Sequence, residues 1–145
     1  DPSGMTAVAV RAAREGDEEG IERLLGTARH EIGRLRGGRE AALGDLSGSE
    51  AVFVALLGGE AVEAIVGLIA LYLRGDTAVI EAIYVAPTCR EVGVGAELLA
   101  AGLRWAQEEG CARIDAVALP GARATKNFYE THGLTARAII VQREL

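Results

Sequence analysis

Basic residues are in the minority: 15 lysines and arginines stand against 21 aspartates and glutamates, a formal net charge of -6 at pH 7. A protein that grips nucleic acid needs a basic face, so nucleic acid is not expected as a partner. Aromatics make up only 4% of the chain, which leaves alanine, valine and leucine to build the core. There are two cysteines, Cys89 and Cys111, in neither a CxxC pair nor a metal-ligand spacing. They read as reduced thiols of a cytosolic protein. His30 and His132 are isolated as well, so no metal is expected. No secretory signal is visible. The longest apolar run, Ala64–Leu73, is about half of what spans a bilayer. No membrane partner is expected, and a cytoplasmic location is.

What is present is a globular balance: half the residues are hydrophobic and a quarter are charged. Met5 reads as an initiator methionine behind a short cloning remnant, Asp1–Gly4, and residues 5–145 as a single domain. "VAVRAA" (Val8–Ala13) alternates weakly and suits an opening strand. Asp17 is placed to N-cap the next segment, where Glu18 and Glu19 favour a helix start and Ile21, Leu24 and Leu25 give an apolar face. Gly26, Gly33, Gly37 and Gly38 are expected to divide that region into two short helices. Three antiparallel strands follow, at Ala51–Leu57, Ala64–Leu73 and Thr77–Pro87, joined by turns at Gly58–Glu60 and Arg74–Asp76.

From Gly93 the period changes to about 3.6, with Leu98, Leu99, Gly102, Leu103 and Ala106 on one side, and Gly110 closes the helix. Cys111–Leu119 reads as a strand, "ATKNFYETHG" as a short helix and "TARAIIVQREL" as a last strand. The order β-α-α-β-β-β-α-β-α-β makes an α/β fold with a mixed, mostly antiparallel sheet flanked by helices. The long helix is then a right-handed crossover between two parallel strands.

One stretch carries the chemistry. "VAPTCREVGVGAELL" (Val85–Leu99) puts Arg90 and two glycines, Gly93 and Gly95, at the mouth of a helix, straight after a strand. A helix N-terminus offers unpaired N–H groups and partial positive charge, and glycines let a bulky anion approach the backbone. An ordinary tight turn is the plainer reading of the same residues. The dinucleotide fingerprint needs a third glycine where Leu98 stands, and no Gly-Lys-Ser/Thr exists for a P-loop.

The stretch resembles the acetyl-CoA-binding motif of the GNAT N-acetyltransferase superfamily: a strand ending near Val-x-Pro, then Arg/Gln-x-x-Gly-x-Gly/Ala opening a helix. "NFYETHGL" (Asn127–Leu134) is similar to the family's second motif, and the element order matches from Val8 to Leu145. One departure is clear. The family's asparagine six residues before the Phe, and its alanine three before, are Ala122 and Thr125 here.

The resemblance implies the GNAT acyl-CoA fold with a splayed parallel strand pair, and acetyl-CoA as co-substrate. It implies that the backbone of Arg90, Glu91, Val92, Gly93, Val94 and Gly95, with Ala96, holds the pyrophosphate. It implies that the main chain of Ile83, Tyr84 and Val85 pairs with the pantetheine arm as an added strand. Tyr129 matches the general acid that protonates the departing thiolate. Glu81, within "VIEAIYV", stands where family members carry a basic carboxylate, acting directly or through water. Such a base has work to do: an amine of pKa ~10.4 is neutral in about one molecule in 2,500 at pH 7. Burial would raise the Glu81 pKa toward a useful value.

The implied function is acetyl transfer to a primary amine of a small molecule or peptide. A non-catalytic acyl-CoA-binding module, or use of a different acyl-CoA, remains the alternative. A homodimer is a common habit of the family and stays open. Tyr129 also reads as a core aromatic, Glu81 as a partly exposed strand residue, Asn127 and Phe128 as packing or surface, and Cys89 as structural. Arg29, Arg34, Arg36 and Arg39 lie where the family builds its acceptor site and read first as a solvated face.

Overall fold

A computed structural model of the chain describes residues 8–34, 46–58, 64–90, 93–118, 123–139, 141 and 143–145. Five strands form one sheet in sequence order: β1 (Val8–Ala12), β2 (Ala51–Leu57), β3 (Ala64–Arg74), β4 (Thr77–Val85) and β5 (Arg113–Ala116). The first four pair antiparallel, and β4 pairs parallel with β5. Helices α1 (Glu18–Ile32), α2 (Val94–Glu108) and α3 (Arg123–Thr131) flank the sheet. Among the described residues no helix is long and apolar enough to cross a membrane.

Strand alternation divides the core into two layers. Val54, Leu56, Leu68, Ala70, Ala82 and Tyr84 meet Leu24, Leu25 and Ala28 of α1 on one face. Ala55, Val66, Ile69, Leu71 and Ile80 meet Val94, Leu98 and Leu99 of α2, with Tyr129 of α3, on the other. Ile80 and Ala82, two apart, face opposite layers because Glu81 is an extra residue in β4. The β3–β4 register runs Ala70↔Ala82 and then Leu71↔Ile80, skipping Glu81, which is a β-bulge. Two glycines seat α2 tightly on the sheet. A Cβ on Gly67 would lie 2.9 Å from Leu98 Cδ1, and one on Gly102 2.9 Å from Ile69 Cδ1.

Several sequence expectations change. Glu18–Ile32 is one helix that runs through Gly26, which is exposed. The buried face of Leu24, Leu25 and Ala28 outweighs the ~1 kcal/mol cost of an internal glycine. Gly37, Gly38 and any second helix there lie outside the described residues, as does most of the Gly58–Glu60 turn. Asp17 occupies the N-cap position, but its carboxylate caps nothing. It accepts from Arg11 Nη1 and Nη2 at 2.7 and 3.0 Å and from the Arg14 N–H at 2.9 Å. These bonds, the Arg11 pair foremost, lower its pKa from 3.8 to about 2.

β5 spans only Arg113–Ala116 of the expected Cys111–Leu119, because its pairing with β4 stops at Ile80↔Ala116. The last expected strand, Thr135–Leu145, is absent among the described residues, and the sheet ends at β5. Alternation without a hydrogen-bonded neighbour makes no ladder. Ile139, 90% exposed, and Val141 accordingly contact no core.

Candidate active site

The bulge at Glu81 divides β4. Below it, Thr77–Ile80 pair with β3 on one side and β5 on the other; above it, Ile83–Val85 pair, among the described residues, only with β3. The Ala86 N–H donates to the Val66 carbonyl at 2.8 Å, which fixes the phase of the ladder. By antiparallel alternation, the peptide groups of Tyr84 turn toward Leu68, while those of Ile83 and Val85 turn to the open side. Of the three residues expected to offer main-chain pairing, Ile83 and Val85 are therefore oriented to do so. Tyr84 contributes its side chain instead.

Beyond β4, Pro87–Cys89 make one 3₁₀ turn, Arg90 is extended, and α2 begins after Gly93. Gly93 has φ +84°, a left-handed conformation that disfavours a side chain, and the space where its Cβ would stand is open. Gly93, at the N-cap of α2, has no side chain to cap it. The N–H groups at its start thus retain the capacity to bind an acceptor from outside. Gly95 has a different reason to be glycine: a Cβ there would lie 3.2 Å from Phe128 Cε1. Its missing side chain is the seat of α3, so Phe128 packs directly beneath the first turn of α2. Val94 is buried, whereas Ala96 lies on a partly exposed face. Glu91 and Val92 lie outside the described residues.

The positive charge expected beside this turn points elsewhere. Arg90 Nη2 pairs with Glu31 Oε1 at 2.7 Å, its Nε–H donates to the Val85 carbonyl at 3.1 Å, and the guanidinium lies 5.3 Å from the Tyr84 ring centroid. The Tyr84 hydroxyl donates to Glu31 Oε2 at 2.8 Å. Burial, and then the Glu31 carboxylate, push the Tyr84 pKa up to about 12. Glu31 at the end of α1 is thereby tied to both the edge of β4 and the turn before α2.

Tyr129, 6% exposed, sits in the α2-side layer, its ring centroid 5.7 Å from that of Phe128. Its pKa is raised by burial. Among the described residues no hydrogen bond engages its hydroxyl, yet no fully enclosed side-chain polar atom is left without a partner. The phenol oxygen therefore reaches accessible space while the ring is packed. Leu134 N–H closes the end of α3 on the Tyr129 carbonyl at 3.0 Å.

Glu81 is exposed, in line with its reading as a partly exposed strand residue and against the burial that would raise its pKa, because a bulge residue is released from strand alternation. Its Oε2 accepts a hydrogen bond from Ser49 Oγ at 2.6 Å. Phe128 packs, as one sequence reading had it, whereas its place under Gly95 and the parts of Ser49 and Glu31 were not anticipated from sequence. Ser49 lies in a loop-like "LSGSE", and Glu31 in an ordinary polar helix end. Other residues take plain roles. Cys89 and Cys111 are free thiols, the first buried. Arg29 pairs with Glu22, and His132 Nδ1 lies 2.8 Å from the Phe128 carbonyl. Arg36, Arg39 and Ala122 lie outside the described residues.

The fold recurs in solved structures. BH1408 from Bacillus halodurans, as a tetramutant, matches with TM-score 0.75 at 18% identity over 94% of this chain and 99% of its own. A protein from Pyrococcus furiosus matches with TM-score 0.70 at 25% identity, over 96% and 100%. AAC(6')-Iy, solved with the bisubstrate analogue CoA-S-monomethyl-acetylneamine, matches with TM-score 0.69 at 20% identity, over 97% and 100%. No curated protein matches the sequence. The family model for the acetyltransferase (GNAT) family matches residues 20–134. With the mixed sheet of the described residues and its parallel pair β4–β5, this establishes that the chain belongs to the GNAT acetyltransferase family.

Proposed function

We propose that this protein is an acetyl-CoA-dependent N-acetyltransferase that moves the acetyl group directly to a primary amine. The observation that carries the proposal is the upper half of β4, open among the described residues, beside a helix start whose N-cap residue is a glycine. The outward peptide groups of Ile83 and Val85 suit an extended amide chain, as an added strand would. The amides from Gly93 to Ala96, with open space at Gly93, suit a diphosphate. These residues fit coenzyme A, whose thioester supplies the activated acetyl group. AAC(6')-Iy has been solved with CoA, which supports the same choice of co-substrate.

Attack by the amine nitrogen on the thioester carbonyl forms a C–N bond and breaks the C–S bond. One proton must leave nitrogen, and one must reach sulfur. Glu81 is our candidate to accept the first, alone or through water. Its exposure at the fork between β4 and β5 leaves it accessible to an incoming amine. Tyr129 is our candidate to deliver the second. Burial raises its pKa, so it holds its proton at neutral pH. The same desolvation raises a thiol's pKa, which offsets the rise in the phenol's.

The test is acetyl-CoA with a panel of amines, including aminoglycosides, polyamines, lysine and peptide N-termini, read by thiol release. Turnover with at least one amine is expected. CoA that binds but is never released as free thiol, from folded protein, would support a non-catalytic acyl-CoA-binding module.

A further inference from the structure

Glu81 has a partner that nothing about its own strand supplies. Ser49 is 32 residues away in sequence, and its hydroxyl donates to Glu81 Oε2 at 2.6 Å. The serine is held from both sides. Its own N–H donates to the Leu46 carbonyl at 3.0 Å, and the next residue's N–H, that of Glu50, donates to the Leu71 carbonyl at 2.8 Å. The Glu50 carboxylate in turn accepts the Leu73 N–H. Leu46, buried against α1, adopts φ +65°, a left-handed conformation that costs a leucine roughly 1–2 kcal/mol. A short segment is thus fastened to the core and to β3 on either side of one hydroxyl. That hydroxyl meets the one bulged residue of β4, at the point where β4 leaves β5.

We infer that Ser49 is a positioning residue for the acceptor-side carboxylate: its hydroxyl holds Glu81 Oε2 and leaves Oε1 to receive the proton of the amine. The inference rests on the reading of Glu81 as the base. A carboxylate on an exposed bulge has free rotamers, and one short charge-assisted hydrogen bond selects among them. The charged groups on the neighbouring elements are engaged elsewhere. Glu50 accepts from Leu73, Asp115 pairs with Arg74, and Glu31 pairs with Arg90. On β3, the residues flanking the bulge are Ala70 and Leu71, neither of which titrates.

The test uses the full chain with carboxyl-labelled glutamate, the Glu81 signal being assigned by its loss in Glu81→Gln. Removing the donor takes away the hydrogen bond to Oε2, so Ser49→Ala is expected to change the Glu81 carboxyl chemical shift at one fixed pH. Ser49→Thr is expected to restore it. An unmoved carboxyl signal in Ser49→Ala would overturn the inference, and this measurement needs no acceptor. With acetyl-CoA and the fastest amine of neamine, spermidine and lysine, Ser49→Ala is expected to lower kcat/KM roughly tenfold. The KM for acetyl-CoA should hold. In a Glu81→Gln background the same change is expected to do nothing more. A further loss there would make Ser49 merely structural. Full turnover in Glu81→Gln alone would instead remove the base reading, whatever the carboxyl signal shows.

Discussion

The two halves of β4 are one strand with two fates. Thr77–Ile80 are buried and paired on both sides. Ile83–Val85 belong to the same ladder with β3, and among the described residues no strand meets the outward peptide groups of Ile83 and Val85 on the other side, although the Val85 carbonyl accepts from Arg90. A single inserted residue, Glu81, separates them. The lower half is what a parallel sheet requires, and its residues are replaceable by others of similar shape. The upper half retains unmet hydrogen-bonding capacity beside a helix start with the same property. In a folded protein that pattern is costly unless water or a ligand satisfies it. Substitutions in the two halves should therefore fail differently.

The largest effect is expected at Tyr129, which packs beside the open half. Tyr129→Phe keeps the ring and removes the proton donor, so kcat should fall by roughly 10²–10⁴ while CoA affinity holds. Stopped turnover with parallel loss of CoA binding would mean that the hydroxyl serves the fold instead. In the closed half, Ile80→Ala opens a cavity in the α2-side layer. It should cost about 2–5 kcal/mol by denaturant unfolding, with the remaining folded enzyme turning over normally.

A third experiment separates fold from chemistry by pH. The folded-state pKa of Asp17 is lowered from 3.8 to about 2 by Arg11, so its stabilisation is present above the unfolded value. It is lost as pH falls through about 2. Roughly 2 kcal/mol should disappear between pH 4 and pH 2, and Asp17→Asn should flatten that part of the curve. Activity limbs near neutral pH should be untouched by this change. The smallest effect is expected at Gly93→Ala. With open space but φ +84°, it should cost about 1–2 kcal/mol by thermal melting and weaken CoA binding several-fold.

Much of this comparison could be read before the fold was known. β2 occupies the expected Ala51–Leu57, and α2 begins just after Gly93 and ends before Gly110, because periodicity and glycine punctuation are local signals. The parallel pair followed from the crossover helix. What stayed hidden is non-local. The exposure of Glu81 depends on a bulge defined by β3, and no property of "VIEAIYV" announces which residue will be skipped. The pairs Ser49–Glu81 and Tyr84–Glu31 join residues 32 and 53 apart. Arg90 was legible as a charge beside the turn, but its direction was set by Glu31 on α1. Gly95 was legible as a glycine with a purpose, and the purpose included Phe128. The last segment carried strand-like alternation, yet alternation specifies a face and supplies no partner.

The decisive measurement is a backbone-amide NMR titration of the folded chain with coenzyme A. Saturable shifts are expected at Ile83 and Val85 and from Gly93 to Ala96, with the inward-turned Tyr84 amide moving less than its two neighbours. Binding that leaves those amides still, or no binding at all, would contradict the assignment of the open half of β4 and the start of α2 as the acetyl-CoA site.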